Sequence, residues 1–421
     1  MRHYRILIGT ILVVLILPVI TASKIHSNEA TIRISKSISY KKEVDKKAIA
    51  LYASKKQKLK TALEEYFNKA IASGTIVGAG VSIVQGDSIV ISDGFGKRSV
   101  NNKSKVNGET VFRLGSLSKG FAGVLAASLE AEGKLDWDDK VVDYIPEFQF
   151  GDRSNTKKVR LSHILSHSSG TPYHSFTNLV EAGLSVSSIA KRFDEVTPIS
   201  EPGSVYSYQN AMFSLSQEVM EKICGEDIKT QLKNQFFSPL GMSTISMDHD
   251  SLLEVENVAM PHVRSRRGWK KTALRNKYYN AVAAGGINAS SLDMAKWMRF
   301  LLGHNPEVLQ PKVIEKAFSP FIEIPGHSKY YQRWANHKQS YYGFGWRIHE
   351  FEDAETQQET KVWHHGGSVN NYRNEIALFP ETDLGICVLL NGNSRLARTV
   401  IPDLRKIIER IYNTETKNVS L

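Results

Sequence analysis

The sequence predicts an α+β fold in which strands from both ends of the chain share one sheet and helices fill the middle. Near the start, two apolar β-rich runs, Gly78–Val84 and Ser88–Ser92, flank a glycine-containing turn, which is typical of a hairpin. Near the end, Arg373–Phe379 and Leu384–Leu390 flank a second turn and precede an amphipathic helix. Helical and loop patterns dominate between about residues 110 and 290. We therefore expect an antiparallel sheet flanked by helices, with a mostly helical subdomain inserted between the sheet-forming segments.

The composition is that of a globular protein, with 421 residues, 41% hydrophobic and 23% charged. It excludes disorder of the whole chain. The net charge of +11 favours anionic partners or a solvated lysine-rich surface, but the chain has no motif that reads nucleic acid. Its two cysteines, Cys224 and Cys387, are too few for a disulfide framework and lack metal-binding spacing. We therefore predict no nucleic-acid partner and no metal site.

Residues 1–23 have the pattern of an export signal. The basic segment Met1–Arg5 precedes the apolar run Ile6–Ala22, which ends in small residues that suit a signal peptidase. The run is near the lower length limit for spanning a bilayer, so an uncleaved N-terminal anchor is the alternative. Residues 24–54 are polar and lysine-rich and predict a tether, followed by a compact domain over residues 55–415. We predict a periplasmic, secreted or outward-anchored protein whose membrane contact, if any, is that anchor.

The candidate nucleophile is a serine with a basic group at contact distance. Ser-x-x-Lys on a helix supplies such a pair, because positions i and i+3 share a face. The spacing occurs at Ser39, Ser188 and Ser116, and alone it would more often mean a capping serine with an incidental lysine. Ser39 lies in the tether and Ser188 in a polar stretch, whereas Ser116 opens an Ala- and Leu-rich helix that ends at Gly133. Free N–H groups there would stabilise an oxyanion. Context therefore favours Ser116 with Lys119.

The segment Phe112–Lys119 resembles the nucleophile segment of the serine β-lactamase-like family, which contains class C β-lactamases, low-molecular-mass penicillin-binding proteins, D-aminopeptidases and related esterases. The likeness continues in order through Leu161–Gly170, Pro239–Met242, Ala284–Gly286 and Asp293–Trp297. Several unconnected matches in the right order argue against coincidence. The resemblance implies a β-lactamase/transpeptidase-like fold and a catalytic domain over residues 55–415.

The second element of this family is Tyr-x-Asn, and Tyr208-Gln209-Asn210 occupies the expected place after a Pro-Gly turn. By resemblance, Lys119 helps to deprotonate Ser116 and Tyr208 carries the proton to the leaving group. Asn210 then orients Lys119 and the substrate amide. The resemblance thus implies four side chains that act together on one acyl group.

The third element is a triplet on a sheet strand, and His365-Gly366-Gly367 fits it, with His364 as the competing start. The resemblance implies that His365 holds the catalytic tyrosine or a substrate acid. Gly366 and Gly367 would let a substrate backbone approach the strand edge closely. The N–H of Ser368 would join the N–H of the nucleophile in an oxyanion hole.

The resemblance implies an exported serine hydrolase that needs no cofactor or metal and acts through an acyl-enzyme on amide, peptide or ester bonds. Its substrate would be a small molecule or peptide, with a D-amino-acid peptide derived from peptidoglycan considered first. Two departures weaken the expectation of β-lactam hydrolysis. His365 and Gly366 replace a lysine and a hydroxyl residue, and Gly285 stands where class C enzymes carry an aromatic residue. A weak β-lactamase, an esterase and a catalytically silent envelope penicillin-binding protein are the alternatives.

A cluster of basic residues lies in the connection between Pro239–Met242 and Ala284–Gly286. In the resembling enzymes this connection forms one wall of the substrate cleft. We therefore expect a positive wall that attracts anionic substrates, with a solvated surface loop as the alternative. The cluster consists of Arg264, Arg266, Arg267, Lys270, Lys271, Arg275 and Lys277.

Overall fold

An eight-stranded antiparallel sheet forms the centre of the protein. The computed structural model describes residues 46–413. The strands of this sheet are β1 (Gly78–Gln85), β2 (Ser88–Gly96), β7 (Ile322–Glu323), β8 (His337–Tyr342), β9 (Arg347–Glu352), β10 (Glu359–Val369), β11 (Tyr372–Phe379) and β12 (Leu384–Leu390). They run in the order β2-β1-β12-β11-β10-β9-β8-β7. β1 pairs antiparallel with β12, with Ala79 opposite Leu390. The predicted union of the two terminal hairpins in one sheet is thereby confirmed.

Helices and loops occupy most of the chain between β2 and β7. Two short two-stranded sheets interrupt them: β3 (Val111–Arg113) pairs with β6 (Asn288–Ser290), and β4 (His262–Ser265) pairs with β5 (Gly268–Lys271). The helices of the described chain are α1 (46–72), α2 (Ser118–Ala131), α3 (Val141–Tyr144), α4 (Arg153–Thr156), α5 (Leu161–Leu165), α6 (Thr177–Glu181), α7 (Val186–Lys191), α8 (Asn210–Cys224), α9 (Ile228–Leu232), α10 (His249–Glu254), α11 (Val282–Gly285), α12 (Ser291–Leu301), α13 (Pro311–Ala317) and α14 (Val400–Asn413).

The sheet is covered on both faces where the two ends of the chain meet. Every residue of β12 is buried, which explains why its sequence is a continuous apolar run and does not alternate with polar residues. Helix α12 packs on β1, β2 and β12, and α14 packs on β11 and β12. Helix α14 therefore covers β11 and β12. Cys387 in β12 is buried, and both Cys387 and Cys224 are free thiols.

Helix α2 is the buried helix that carries the site, and glycines set its distance from the sheet. Its residues Ser118–Leu129 are all buried. A Cβ at Gly123 would lie 1.9 Å from the carbonyl oxygen of Phe344, in the segment between β8 and β9, and a Cβ at Gly120 would lie 2.6 Å from the ring of Trp346. Any larger residue at either position would move α2 away from the sheet. The two glycines thus let the start of α2 pack against the segment that joins β8 and β9.

The chain forms two units, one ending at Leu59 and the other starting at Lys60, and α1 contains the boundary. In the first unit, α1 begins at residue 46, inside the segment predicted as a tether, and residues 46–54 are exposed. This stretch is rich in Ala and Lys, so helix propensity produces a helix although no apolar periodicity predicts one. The predicted export signal or anchor, residues 1–23, lies outside the described residues. Among residues 46–413, no helix is both long and apolar enough to cross a membrane.

Candidate active site

Ser116 lies in a 3-10 turn, Gly115–Leu117, immediately before α2. Gly115 has a φ of 57°, a left-handed conformation that favours glycine. A Cβ at Gly115 would lie 2.9 Å from the backbone of Ser368, so β10 passes directly against the turn. Ser116 is partly exposed, whereas its two neighbours in the turn are buried. The serine thus lies two residues before α2 begins at Ser118, and not at the first position of the helix as predicted, with its hydroxyl at the junction of sheet and helix.

Lys119 approaches the serine from the protein interior. Its side chain is fully buried, and Nζ lies 3.4 Å from Ser116 Oγ, 2.8 Å from Asn210 Oδ1 and 2.7 Å from the carbonyl oxygen of Ala284. Burial, and after it the charge of Arg347, holds the pKa of Lys119 well below its ordinary value. A neutral amine has two N–H donors and one lone pair, and the two short contacts use both donors. A neutral Lys119 would thus have its lone pair left for the Ser116 hydroxyl, an arrangement that suits a base.

Tyr208 is the buried phenol of the site and lies in an extended segment that leads into α8. Its ring packs on His167, with centroids 4.1 Å apart, and its centroid lies 5.1 Å from Lys119 Nζ. Burial raises the pKa of Tyr208 to about 12, although Arg347 and a hydrogen bond with Ser116 act in the opposite direction. The phenol is therefore protonated at neutral pH. Tyr208 suits the role of a proton donor, while Lys119 suits that of a base.

Asn210 begins α8 and fixes the lysine. Its Oδ1 accepts from Lys119, and its Nδ2 donates to the hydroxyl of Tyr278 at 3.2 Å, so the amide has one orientation. Tyr278 also changes the interpretation of Gly285, because a Cβ at Gly285 would lie 2.8 Å from the Tyr278 ring. The aromatic group expected to be missing beside Gly285 is therefore supplied by Tyr278, which lines the cleft.

His365 does not line the cleft, and no hydrogen bond of the described residues joins it to Tyr208, the tyrosine that the resemblance expects it to hold. It is fully buried, and its Nε2 lies 2.8 Å from the hydroxyl of Tyr342. Burial, then the charges of Arg347 and Lys119, lowers the pKa of His365 well below its ordinary value, so it provides no fixed cation. The rings of His365 and Tyr208 lie 6.4 Å apart. His365 thus supports the site through Tyr342, because the pleat of β10 directs it away from the cleft.

The glycine triplet divides between two faces of β10 for the same reason. Gly366 and Ser368 line the cleft together with Ser116, as expected. Gly367 does not, since a Cβ there would lie 2.1 Å from the carbonyl oxygen of Leu114. Gly367 therefore lets the strand approach the nucleophile turn and does not line the cleft. The backbone of Ser368 lies beside that turn, where an oxyanion hole requires an N–H donor.

The cleft around these residues has a volume of about 750 Å³ and a strongly positive lining. Glu181 is its acidic lining residue, and this carboxylate pairs with Lys277. Sequence reasoning missed the cationic lining residues, because they come from separate loops and strands. They are Lys329, Arg333, Arg347, Arg373, Arg395 and Arg398.

The prediction of a basic wall between residues 264 and 277 is wrong, although the cleft is positively charged as expected. None of the seven basic residues between 264 and 277 lines the cleft. Arg264 donates to the carbonyl oxygen of Gly74, and Arg266 and Arg267 lie in the exposed turn between β4 and β5. The hairpin of β4 and β5 places Arg264 against the region that follows α1, a placement that the spacing of charges cannot reveal. The positive field of the cleft comes instead from the second half of the chain.

The competing serine pairs show no comparable environment. Ser188 is exposed in α7, where its hydroxyl accepts from Ser185 Oγ at 2.7 Å, and Lys191 is exposed as well. Solvent surrounds this lysine, whereas Lys119 is fully buried. Ser39 lies outside the described residues. Within residues 46–413, burial of the lysine separates the pair at Ser116 from the pair at Ser188.

An antiparallel sheet with helices on both faces, and a Ser-x-x-Lys turn facing a Tyr-x-Asn segment, are typical of penicillin-recognising proteins. The chain matches the Beta-lactamase family over residues 63–407 and belongs to that family. The fold is the β-lactamase/transpeptidase-like fold, as the resemblance implies.

Two solved structures illustrate the fold. The octameric penicillin-binding protein homologue from Pyrococcus abyssi superposes with a TM-score of 0.68 and 24% identity, over 84% of this chain and 80% of that one. EstCE1, described as a hydrolase with promiscuous acyltransferase activity, gives a TM-score of 0.71 and 19% identity, over 84% of this chain and 99% of that one. At this level of identity the likeness concerns the fold.

Two curated relatives are similar to this chain in sequence. Unguisins hydrolase ungD' from Aspergillus campestris is 26% identical over 330 residues, which is 76% of this chain and 59% of the relative. Protein flp from Staphylococcus aureus is 22% identical over 355 residues, which is 83% of this chain and 65% of the relative. The match therefore spans less than two thirds of the length of each relative.

Proposed function

We propose that the protein is a serine hydrolase that transfers an acyl group from an amide, peptide or ester to Ser116 and then to water. The observation that carries the proposal is the environment of Lys119. Its buried amine has both N–H donors engaged, by Asn210 and the Ala284 carbonyl, and its lone pair is left for the nucleophile. A purely structural lysine would be expected to pair with a carboxylate. Here its hydrogen-bond partners are the uncharged groups of Ser116, Asn210 and Ala284.

In the acylation step, Lys119 accepts the proton of the Ser116 hydroxyl as Oγ forms a bond to the substrate carbonyl carbon. The backbone N–H groups of Ser116 and Ser368 stabilise the oxyanion. As the bond to the leaving group breaks, Tyr208 gives its proton to the departing nitrogen or oxygen. Lys119 then returns a proton to Tyr208, so no net charge accumulates.

In deacylation, a water molecule takes the place of the leaving group. Lys119 accepts a proton from the water, whose oxygen attacks the ester carbonyl carbon, and the bond to Ser116 Oγ breaks. The proton returns to Oγ and regenerates the resting enzyme. Neither step requires a cofactor, because every proton transfer uses a side chain of the chain itself.

Labelling with a fluorophosphonate or an activated ester tests the proposal directly. We expect one equivalent of label, and mass spectrometry of the digested protein should locate it on the peptide that contains Ser116. Ser188→Ala should label like the wild type, since that serine has no buried base. Label on Ser188, or no label on an otherwise folded protein, would contradict the assignment.

We propose further that the substrate carries a carboxylate, as a D-alanyl peptide derived from peptidoglycan does, and that the protein acts after export. The support is the positive lining of the cleft together with the basic N-terminal segment that precedes an apolar run. A positive cleft concentrates anionic substrates and speeds their encounter. A neutral small ester would gain nothing from this field.

The salt dependence of turnover checks this substrate class. We expect kcat/KM for a carboxylate-bearing ester to fall about fivefold as ionic strength rises from about 0.05 M to about 0.5 M, because salt shortens the range of the field. Its methyl ester should change little. The double variant Arg333→Gln/Arg398→Gln should flatten the dependence, since both side chains are exposed at the cleft.

The double variant Arg266→Gln/Arg267→Gln is the matched control, because it removes the same charge outside the cleft. It should keep the dependence of the wild type. An equal response of the charged ester and its methyl ester would contradict an anionic substrate.

A further inference from the structure

Glu375 is a buried carboxyl beside the cleft that the acyl-transfer mechanism does not use. It is fully buried on β11, and the register places it directly opposite Gly366. A Cβ at Gly366 would lie 3.0 Å from Glu375 Oε2 and 2.8 Å from the hydroxyl of Tyr330. The glycine therefore leaves a space that these two groups fill. Tyr330, from the 3-10 turn Tyr330–Arg333, brings a hydroxyl to the place where related triplets carry one on the strand itself.

Three groups contact the carboxylate, and two of them line the cleft. Glu375 Oε2 accepts from the hydroxyl of Tyr330 at 2.7 Å and lies 2.8 Å from His364 Nε2. Arg373 Nη2 lies 3.0 Å from Oε1, yet within the described chain no group donates a well-aligned hydrogen bond to Oε1. Tyr330 and Arg373 line the cleft with Ser116. The charge of Glu375 thus acts on two groups that face the substrate.

We propose that Arg373 and Tyr330 form an anion subsite of the cleft and that Glu375 is the positioning residue that controls it. With Glu375 ionised, Arg373 is neutralised and the Tyr330 O–H donates to the carboxylate. With Glu375 protonated, the Arg373 charge is uncompensated and the carboxyl O–H donates to Tyr330 or His364. The Tyr330 O–H is then free to donate to a substrate carboxylate. The proposal rests on the proposed function and names a specificity determinant of the same cleft.

The surroundings of Glu375 set the pH at which its carboxyl gains or loses a proton. Burial raises the pKa of Glu375 to about 7, against the opposing effects of Arg373, of the Tyr330 hydrogen bond and of Arg347 on β9. His364 on β10 is kept neutral because burial and nearby arginines lower its pKa. The remaining titratable groups around it are His349 on β9, which bonds His364 at 3.0 Å, Tyr331 of the 3-10 turn and Cys387 on β12.

Neutral histidines adapt to either state of Glu375. Ser340 Oγ lies 2.8 Å from His349 Nδ1, so a hydrogen-bonded chain runs from Ser340 through His349 and His364 to the carboxyl. Each neutral imidazole has one N–H and one acceptor nitrogen. The hydrogen bonds of this series can therefore all donate towards an ionised Glu375. With both tautomers exchanged, they all donate away from a protonated Glu375. Neither state leaves a histidine nitrogen of the chain without a partner.

The test compares two matched pairs of substrates over pH 5.5 to 8.5, a window of about 1.5 units on either side of the Glu375 pKa. One pair is an acyl thioglycolate and its methyl ester, and the other is a 4-nitrophenyl glutarate and its methyl ester. The readout is the ratio of kcat/KM for the charged member to that for the methyl ester, since effects common to both members cancel. In the wild type we expect the ratio of at least one pair to fall about tenfold as pH rises, which corresponds to one charge at close range.

Three variants give distinct results if the proposal holds. Glu375→Gln should keep the ratio at its low-pH level at every pH, and Arg373→Gln should keep it low at every pH. Tyr330→Phe removes a hydrogen bond that lowers the pKa of Glu375, so the midpoint of the fall should move to higher pH. The control Glu323→Gln, on exposed β7, should retain the wild-type profile.

Two outcomes would overturn the subsite. One is a ratio that stays flat in both pairs for the wild type, and the other is a ratio in Glu375→Gln that still falls with pH. A merely structural Glu375 would lower both members of a pair alike and leave the profile in place. Calorimetric binding of the acyl thioglycolate to Ser116→Ala over the same pH range gives a readout without turnover. Failed labelling of Ser116 would contradict the proposed function. Binding of the acyl thioglycolate that does not depend on pH would contradict the subsite alone.

Discussion

Replacing Ser116 with alanine should abolish acylation and lower kcat by at least about 10⁴-fold, because Ser116 is the cleft hydroxyl that contacts Lys119. The hydroxyl is partly exposed, and the turn that carries it is held by Gly115 and the start of α2. The free energy of unfolding should therefore change by less than about 1 kcal/mol. Labelling, turnover of an activated ester and chemical denaturation measure the three quantities on one preparation.

Ser188→Ala provides the comparison, since it removes the hydroxyl of another Ser-x-x-Lys pair in the described chain, whose lysine is Lys191. This variant should keep the activity and labelling of the wild type. Turnover by Ser116→Ala above about one hundredth of the wild-type rate would mean that another residue is the nucleophile.

Replacing Lys119 with methionine should lower the acylation rate by about a hundredfold or more, the usual contribution of a general base. Methionine fills much of the same space but has no lone pair for the proton. In the wild type the rate should fall on the acid side as Lys119 becomes protonated, with the midpoint below the ordinary lysine value, because burial lowers the pKa of Lys119. Stopped-flow acylation across pH measures both effects. A wild-type rate in the variant would exclude Lys119 from the mechanism.

The same burial predicts a dependence of stability on pH. The folded protein binds fewer protons at Lys119 than the unfolded chain does, so its stability should rise as pH increases towards 10.5, the ordinary value of the lysine. The contribution is absent from Lys119→Met. The difference in free energy of unfolding between the two proteins should therefore move in favour of the wild type as pH rises. A constant difference would mean that the amine is charged in the folded state.

The nucleophile, its base and the Tyr-x-Asn pair could be predicted because each lies within a short local motif. Ser116 and Lys119 are three apart, and Tyr208 and Asn210 flank the start of one helix. The hairpins at the two ends were equally visible, since their strands are short apolar runs around turns. Short sequence patterns therefore predict those parts of the site whose residues are close together in the sequence.

The side-chain directions on β10 could not be predicted in the same way. A motif places His365 near the site, but only the pairing of β10 with β11 decides which face of the sheet it joins. His365 consequently faces Tyr342 and not the substrate. The cationic lining escaped prediction because residues such as Lys329 and Arg398 are far apart in sequence and meet only in the folded chain.

One signal for the Glu375 cluster was present in the sequence. Arg373 and Glu375 are two apart in a strand that is otherwise mostly apolar, so both must project from the same face. Two opposite charges on one face of a buried strand have to find partners or a ligand. The identity of the partner, Tyr330, could not follow from this pattern, since it comes from a turn about 45 residues earlier in the chain.

The pairing of β1 with β12 has a consequence for the synthesis of the protein. Residues 79 and 390 are neighbours in the sheet, so the centre of the fold cannot close until the chain beyond Leu390 has left the ribosome. Until then, β1 and β11 each present an open edge with unpaired backbone groups. A translation product that stops before β12 would carry the complete Ser116–Lys119 turn and the Tyr208 segment, yet would expose two strands that invite pairing with another chain. Such fragments should accumulate as insoluble, protease-sensitive material and not as a smaller active enzyme.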